Sequence, residues 1–199
     1  MFITDEIIQD VERRFGSPGE IALAYEMTRS EFDMVRRSQK HGRAHDVTLY
    51  IIEGQQIVVI KKPMYPAGAY RAPSGGIAPG ERFDNGAIRE AHEETGLEIA
   101  LDKYILRARV KFTADDDVID WTSHVLTAHK IGGALQPIDT HEIIEARFAT
   151  VDELMGGIRD ALLRSGSTGL KYRAELNDIV IALLIEQGRV ASTNPATTT

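Results

Sequence analysis

The sequence predicts an α/β (α+β) domain with helical additions at both ends, and three observations carry that prediction. Apolar residues recur at helical spacing up to about residue 39, alternate with period two from Asp46, and return to helical spacing after Thr150. The chain has 199 residues, the length of one domain with an appendage. Its 43% hydrophobic and 27% charged residues lie near the globular average, enough apolar material for one core.

Taken in order, Ile3, Ile7, Ile8, Val11 and Phe15 form a helical stripe after Thr4 and Asp5, closed by Gly16 and Pro18. Ser17-Pro18 then resembles a helix start, and Thr28 with Glu31 a capping box, so residues 3–39 read as helical and residues 1–45 as a helical extension. Val47, Leu49 and Ile51 alternate with Thr48, Tyr50 and Ile52, and Glu53-Gly54-Gln55 turns the chain into Ile57-Val58-Val59-Ile60, a hairpin. Proline and glycine make 63–80 an irregular loop. A helix is expected from about Asn85 to Thr95, stopped by Gly96. Strands follow at 104–113 and 118–129 around Asp115-Asp116-Asp117, with a shorter one from Ile143 to Ala149. Thr150 or Asp152 caps a helix over Glu153–Leu163, and Leu170–Glu186 carries an apolar stripe. The main domain is thus 46–187, and the small, polar tail 188–199 is expected to be disordered.

Composition excludes several functions. No cysteine is present, which removes disulfides, thiolate zinc sites, iron–sulfur clusters and cysteine nucleophiles together. A formal net charge of −7 disfavours broad binding to nucleic acid or anionic membranes. No apolar run approaches the ~20 residues that span a bilayer, and Met1-Phe2-Ile3-Thr4-Asp5-Glu6 has no apolar signal core, so a cytoplasmic protein without a membrane partner is expected.

The chemically informative segment runs from Gly75 to Leu97. Glu90, Glu93 and Glu94 stand at i, i+3 and i+4 on the predicted helix, within one turn of each other. They lie near its C-terminus, where the macrodipole disfavours each exposed anion by ~0.3–1 kcal/mol. A solvated acidic face is the bland explanation; a bound cation is the functional one. The loop Ser74-Gly75-Gly76 with Pro79-Gly80-Glu81 favours the second, because Gly75 and Gly76 let the backbone fold tightly over the helix and Glu81 adds a further carboxylate. Arg89 can hold Glu81 or Glu93 in a two-pronged hydrogen bond. Hard oxygen ligands suit Mg²⁺, Mn²⁺ or Ca²⁺, and such clusters suit phosphate chemistry.

This segment resembles the signature of the Nudix hydrolases: Gly75, five residues, Glu81, seven residues, then Arg89-Glu90-Ala91-His92-Glu93-Glu94-Thr95-Gly96-Leu97. All seven fixed positions match, a coincidence expected on the order of once in a million at average residue frequencies. Ala91 is smaller than the family's usual aliphatic residue, and Gly86 falls just before the helix core. The resemblance implies an α/β/α sandwich around a mixed sheet, with Glu90, Glu93 and Glu94 as metal ligands for Mg²⁺ or Mn²⁺. It implies Arg89 with Glu81 as the orienting pair, and hydrolysis of a nucleoside diphosphate linked to another moiety. Glu93, or Glu142 and Glu145 ahead of the last strand, are candidates for the base.

Other positions carry weaker expectations. Tyr65, Tyr70 and Arg71 lie just upstream of the box and are candidate substrate-binding residues. Arg109, between Arg107 and Lys111 on one strand face, is a candidate phosphate contact, and Trp121 is read as core. The six histidines show no metal-ligand spacing. An alternative function is a nucleotide-sensing regulator whose N-terminal helices read DNA through Arg29, Arg36, Arg37, Lys40 and Arg43, which the acidic neighbours disfavour. The helical additions leave a homodimer possible.

Overall fold

The computed structural model describes residues 3–39 and 42–191. Its centre is a seven-stranded mixed sheet of β1 (Gly19–Glu26), β2 (His45–Glu53), β3 (Gln56–Lys61), β4 (Ser74–Gly75), β5 (Leu97–Ala114), β6 (Asp117–Gly133) and β7 (Glu145–Thr150), in the order β1-β5-β6-β2-β3-β7 with β4 beside β2. β1 runs parallel to β5 and β2 parallel to β6; the other neighbours are antiparallel.

Both sheet faces are covered, which is why β2 alternates between two sets of apolar side chains. Val47, Leu49 and Ile51 join one core with Val11 of α1 (Asp5–Phe15) and Phe83, Ala87 and Ala91 of α3 (Phe83–Thr95). Tyr50 and Ile52 join the other, with helices α2 (Arg29–Ser38), α4 (Val151–Met155), α5 (Gly157–Arg164) and α6 (Thr168–Glu186). The result is the expected three-layer sandwich.

Four expectations need correction. Residues 19–26, read as helical, form a strand paired with β5 over eight residues. Ile21, Leu23 and Tyr25 alternate with Glu20, Ala22 and Ala24, and sheet pairing overrides the helix propensity of Ala, Leu and Glu. The strand also stands where a DNA-reading helix pair would need its middle helix. Arg29 is held by Asp115 and Asp117, Arg36 by Asp117, and Arg37 is exposed; Lys40 lies outside the described residues. β5 starts at Leu97 rather than near 104, because register shifts around Glu98, Leu101 and Tyr104 break the alternation that marks a strand. Gly156-Gly157 splits the helix read over 153–163 into α4 and α5; Thr150 caps α4 through a complete capping box. Finally, 188–191 is anchored: Arg189 pairs with Asp102 (2.8 Å), Val190 is buried, and the Ala191 N–H donates to Gln55 Oε1. Residues 192–199 lie outside the described residues.

Candidate active site

The site is built on α3 and the loop that crosses it. Beyond Phe83 in the first turn, the buried apolar face of α3 is made of small residues, Gly86, Ala87 and Ala91. A Cβ on Gly86 would come within 2.7 Å of Ile77 Cδ1 and Glu81 Oε2, so the absence of a side chain at Gly86 allows the loop to approach. Gly96 closes the helix at φ 75°, its N–H donating to His92 O (2.8 Å); a side chain there would strike the Gln136 carbonyl. At the N-terminal end, Arg14 of α1 donates to Asp84 (2.6 Å), and Arg14 with Arg82 holds that carboxyl far below its usual range.

The acid groups on α3 are countered by two arginines. Arg89 grips Glu81 with Nε and Nη2 (2.9 Å each), reaches Glu90 (2.9 Å) and Glu93 (3.1 Å) with Nη1, and donates to the Gly76 carbonyl (3.0 Å). Hydrogen bonding from Arg89 keeps the Glu81 carboxyl below its ordinary value. Arg71, buried, donates to Glu94 Oε1 (3.1 Å), Ser74 Oγ and the Ala72 carbonyl (2.8 Å each) and Tyr65 Oη (3.1 Å). Glu94 Oε2 accepts from the Ser74 N–H (2.7 Å), and Glu90 Oε1 from the Gly76 N–H (3.2 Å). Burial pushes both glutamates upward. Gly75 is required by this arrangement: a Cβ there would lie 1.9 Å from Glu90 Oε2.

Together these elements border a cavity of about 510 Å³. Glu90, Glu93 and Glu94 form one wall, the 74–79 loop the floor, and Asp139 and Glu142 a further side, with Arg43 and Lys62 adding positive charge. Lys62 pairs with Glu142 (2.7 Å) and lowers its carboxyl. Among the described residues no three acids converge as a finished metal cage. The donors lining the cavity are nevertheless carboxylates and hydroxyls, the set that suits a hard divalent cation. Mg²⁺ usually keeps several waters and takes only one or two protein carboxylates beside substrate phosphates, so no closed cage is needed.

The predicted residues divide accordingly. Gly75, Gly76, Arg89, Glu90, Glu93, Glu94 and Glu142 border the cavity, and Glu81 sits behind Arg89. Tyr65, Tyr70, Arg71, Arg109 and Glu145 do not border it. Arg71 and Tyr65 support Glu94 from below, Tyr70 donates to Glu145 (2.8 Å), and Arg109 pairs with Glu20 on the far strands. Trp121 is buried, donating to Asp46. Sequence reasoning missed Lys62 and Asp139, which carry no local signal, and named Arg43 only in the disfavoured DNA-reading alternative, not in this cavity.

The motif from Gly75 to Leu97 is thus set in a three-layer sandwich, its glycine loop seated on the helix that carries Arg89, Glu90, Glu93 and Glu94. The NUDIX domain model matches residues 40–166, and the chain belongs to the NUDIX family of pyrophosphohydrolases. Among solved structures it is similar to a MutT NUDIX hydrolase from Burkholderia pseudomallei, at 23% identity over 55% of this chain and 84% of that one, TM-score 0.44. It is also similar to an ADP-ribose pyrophosphatase from Streptococcus suis 89-1591, at 16% identity over 54% and 74%, TM-score 0.41. A UDP-X diphosphatase is 20% identical over 79% of this chain and 72% of that one, TM-score 0.45.

Proposed function

We propose that the protein hydrolyses the pyrophosphate bond of a nucleoside diphosphate linked to a further group, such as a nucleotide sugar or a nucleoside triphosphate, with Mg²⁺ or Mn²⁺ as cofactor. The observation that carries this reading is that Glu90, Glu93 and Glu94 border one cavity together with Gly75 and Gly76. These three carboxylates are the residues to hold the metal. When bound, it supplies charge neutralisation at the diphosphate and acidifies water. Arg89, fastened to Glu81, fixes Glu90 and Glu93 in place. Glu93 has one oxygen on Arg89, while Oε1 has no hydrogen-bond partner among the described residues; that oxygen is suited to take the proton of water attacking phosphorus. Glu142 also borders the cavity, whereas Glu145 is drawn off by Tyr70, which leaves Glu93 and Glu142 as the candidate bases.

A panel of nucleoside diphosphate derivatives assayed with Mg²⁺ or Mn²⁺ tests this. The parent should turn over at least one of them and lose activity in chelator. Glu93→Gln and Glu94→Gln should each lower turnover by at least ~100-fold, the scale of removing one electrostatic catalytic element. Turnover equal to the parent in both variants refutes the assignment.

A further inference from the structure

Among the described residues four cationic side chains stand at or under the cavity, and three are already paired: Arg71 with Glu94, Arg89 with Glu81, Glu90 and Glu93, and Lys62 with Glu142. Arg43 differs. It lies outside the glycine–glutamate motif, on the segment leading into β2, and no carboxylate among the described residues pairs with it. Its Nε is buried without a hydrogen-bond partner among them. The guanidinium is nevertheless held: it lies over the Trp121 ring, 5.7 Å from the centroid, and presses on the loop at Gly76. A Cβ on Gly76 would stand 1.8 Å from Arg43 Nη1 and 2.8 Å from its Cδ and Cζ. The two adjacent glycines therefore accommodate opposite charges, Gly75 the Glu90 carboxylate and Gly76 the Arg43 guanidinium.

We propose that Arg43 is a substrate-binding residue that takes a phosphate group of the diphosphate, seated for that role by Gly76 and Trp121. The inference rests on the reading of this cavity as a diphosphate site. A planar guanidinium offers phosphate oxygens two parallel donors, and one pressed between a ring and a glycine backbone loses little freedom on binding. In a cavity bordered by carboxylates it supplies cationic charge that no acid among the described residues pairs with.

The experiment measures Mg²⁺-dependent binding of imidodiphosphate, a hydrolysis-resistant diphosphate, by calorimetry on the full chain, together with kcat and KM on any substrate found. Arg43→Ala should weaken binding by about 10- to 100-fold, the scale of losing one charged hydrogen-bonded contact. Arg43→Lys, which keeps the charge and loses the fork, should fall between it and the parent and serves in its place if Arg43→Ala does not fold. Gly76→Ala should reproduce the Arg43→Ala loss, because the added methyl displaces the flexible end of the arginine. The double variant should then bind no more weakly than either single, since both remove one contact. Parent-like binding by Arg43→Ala or Arg43→Lys, losses that multiply in the double variant, or no imidodiphosphate binding by the parent would each overturn the proposal. Arg43-dependent binding by a parent that hydrolyses no diphosphate overturns the hydrolase reading and leaves this inference standing.

Discussion

Helices α3 and α6 lie on opposite faces of the same sheet and are held there by different physics. α6 buries Leu170, Leu176, Val180, Ile181 and Leu184, an apolar stripe that any similar stripe could replace. α3 buries one large apolar side chain, Phe83 in its first turn, and beyond it only Gly86, Ala87, Ala91, Thr95 and the charged Glu94. It is kept in place by close approach and by charge, through Arg14 at one end and Arg71 and Arg89 at the other. The helix that carries the chemistry is thus the one whose stability depends on ion pairs, and replacing those pairs by apolar residues would remove the site.

That contrast breaks first at Arg71. Removing it leaves the Glu94 carboxylate buried without its cation, a change expected to cost about 3–5 kcal/mol. Chemical denaturation of Arg71→Ala should show this loss, and the Arg71→Ala/Glu94→Leu double variant should recover most of it while remaining inactive. A cost under about 1 kcal/mol for Arg71→Ala would mean that α3 does not depend on the pair.

On α6 the expected effect is somewhat smaller and of another kind. Leu184 is fully buried, and Leu184→Ala should destabilise the protein by about 2–4 kcal/mol through lost burial and a cavity. Its turnover per folded molecule should stay at the parent value, measured well below the melting temperature. A parallel loss of kcat would show that the two sheet faces are not independent.

The contrast also explains what was legible in the sequence. The α6 stripe and the β2–β3 alternation report burial directly, so they could be read residue by residue. The Gly75–Leu97 motif was readable because its spacing encodes a charge arrangement that a bland surface helix has no reason to contain. β1 was not readable: its composition favours helix, and only pairing with β5, 87 positions later, makes it a strand. Arg71 was noticed but misplaced, since nothing local indicates that a loop arginine turns inward to a helix 23 residues on. Arg43 reaches the cavity for the same kind of reason, through the seat at Gly76 and the Trp121 ring, both remote in sequence.

Acid sharpens the comparison further, because α3 covers a pair of buried imidazoles. His124 of β6 meets the Phe83 ring of α3 edge-on at 5.4 Å, receives or donates a hydrogen bond at Tyr104 (2.6 Å), and has His45 as a neighbour at 6.1 Å. Burial, outweighing the nearby Asp46 carboxylate, pushes His45 down to about 4 and His124 to about 3. Both are therefore neutral in the folded protein at pH values where the unfolded chain, with imidazoles near 6.5, binds protons. The stability they permit is fully present above pH 6.5 and is lost as the pH falls toward 4, by up to about 1.4 kcal/mol per pH unit for each imidazole. Burial of Glu90 and Glu94 raises their carboxyls and so acts with the opposite sign, which makes a difference measurement necessary. Unfolding free energies of the parent and His124→Gln, compared from pH 7 to 4, should diverge in slope, with the variant the flatter. Leu184→Ala should keep the parental slope, since its defect lies on the other face. An unchanged slope in His124→Gln would remove the imidazole pair from the account of acid sensitivity beneath α3.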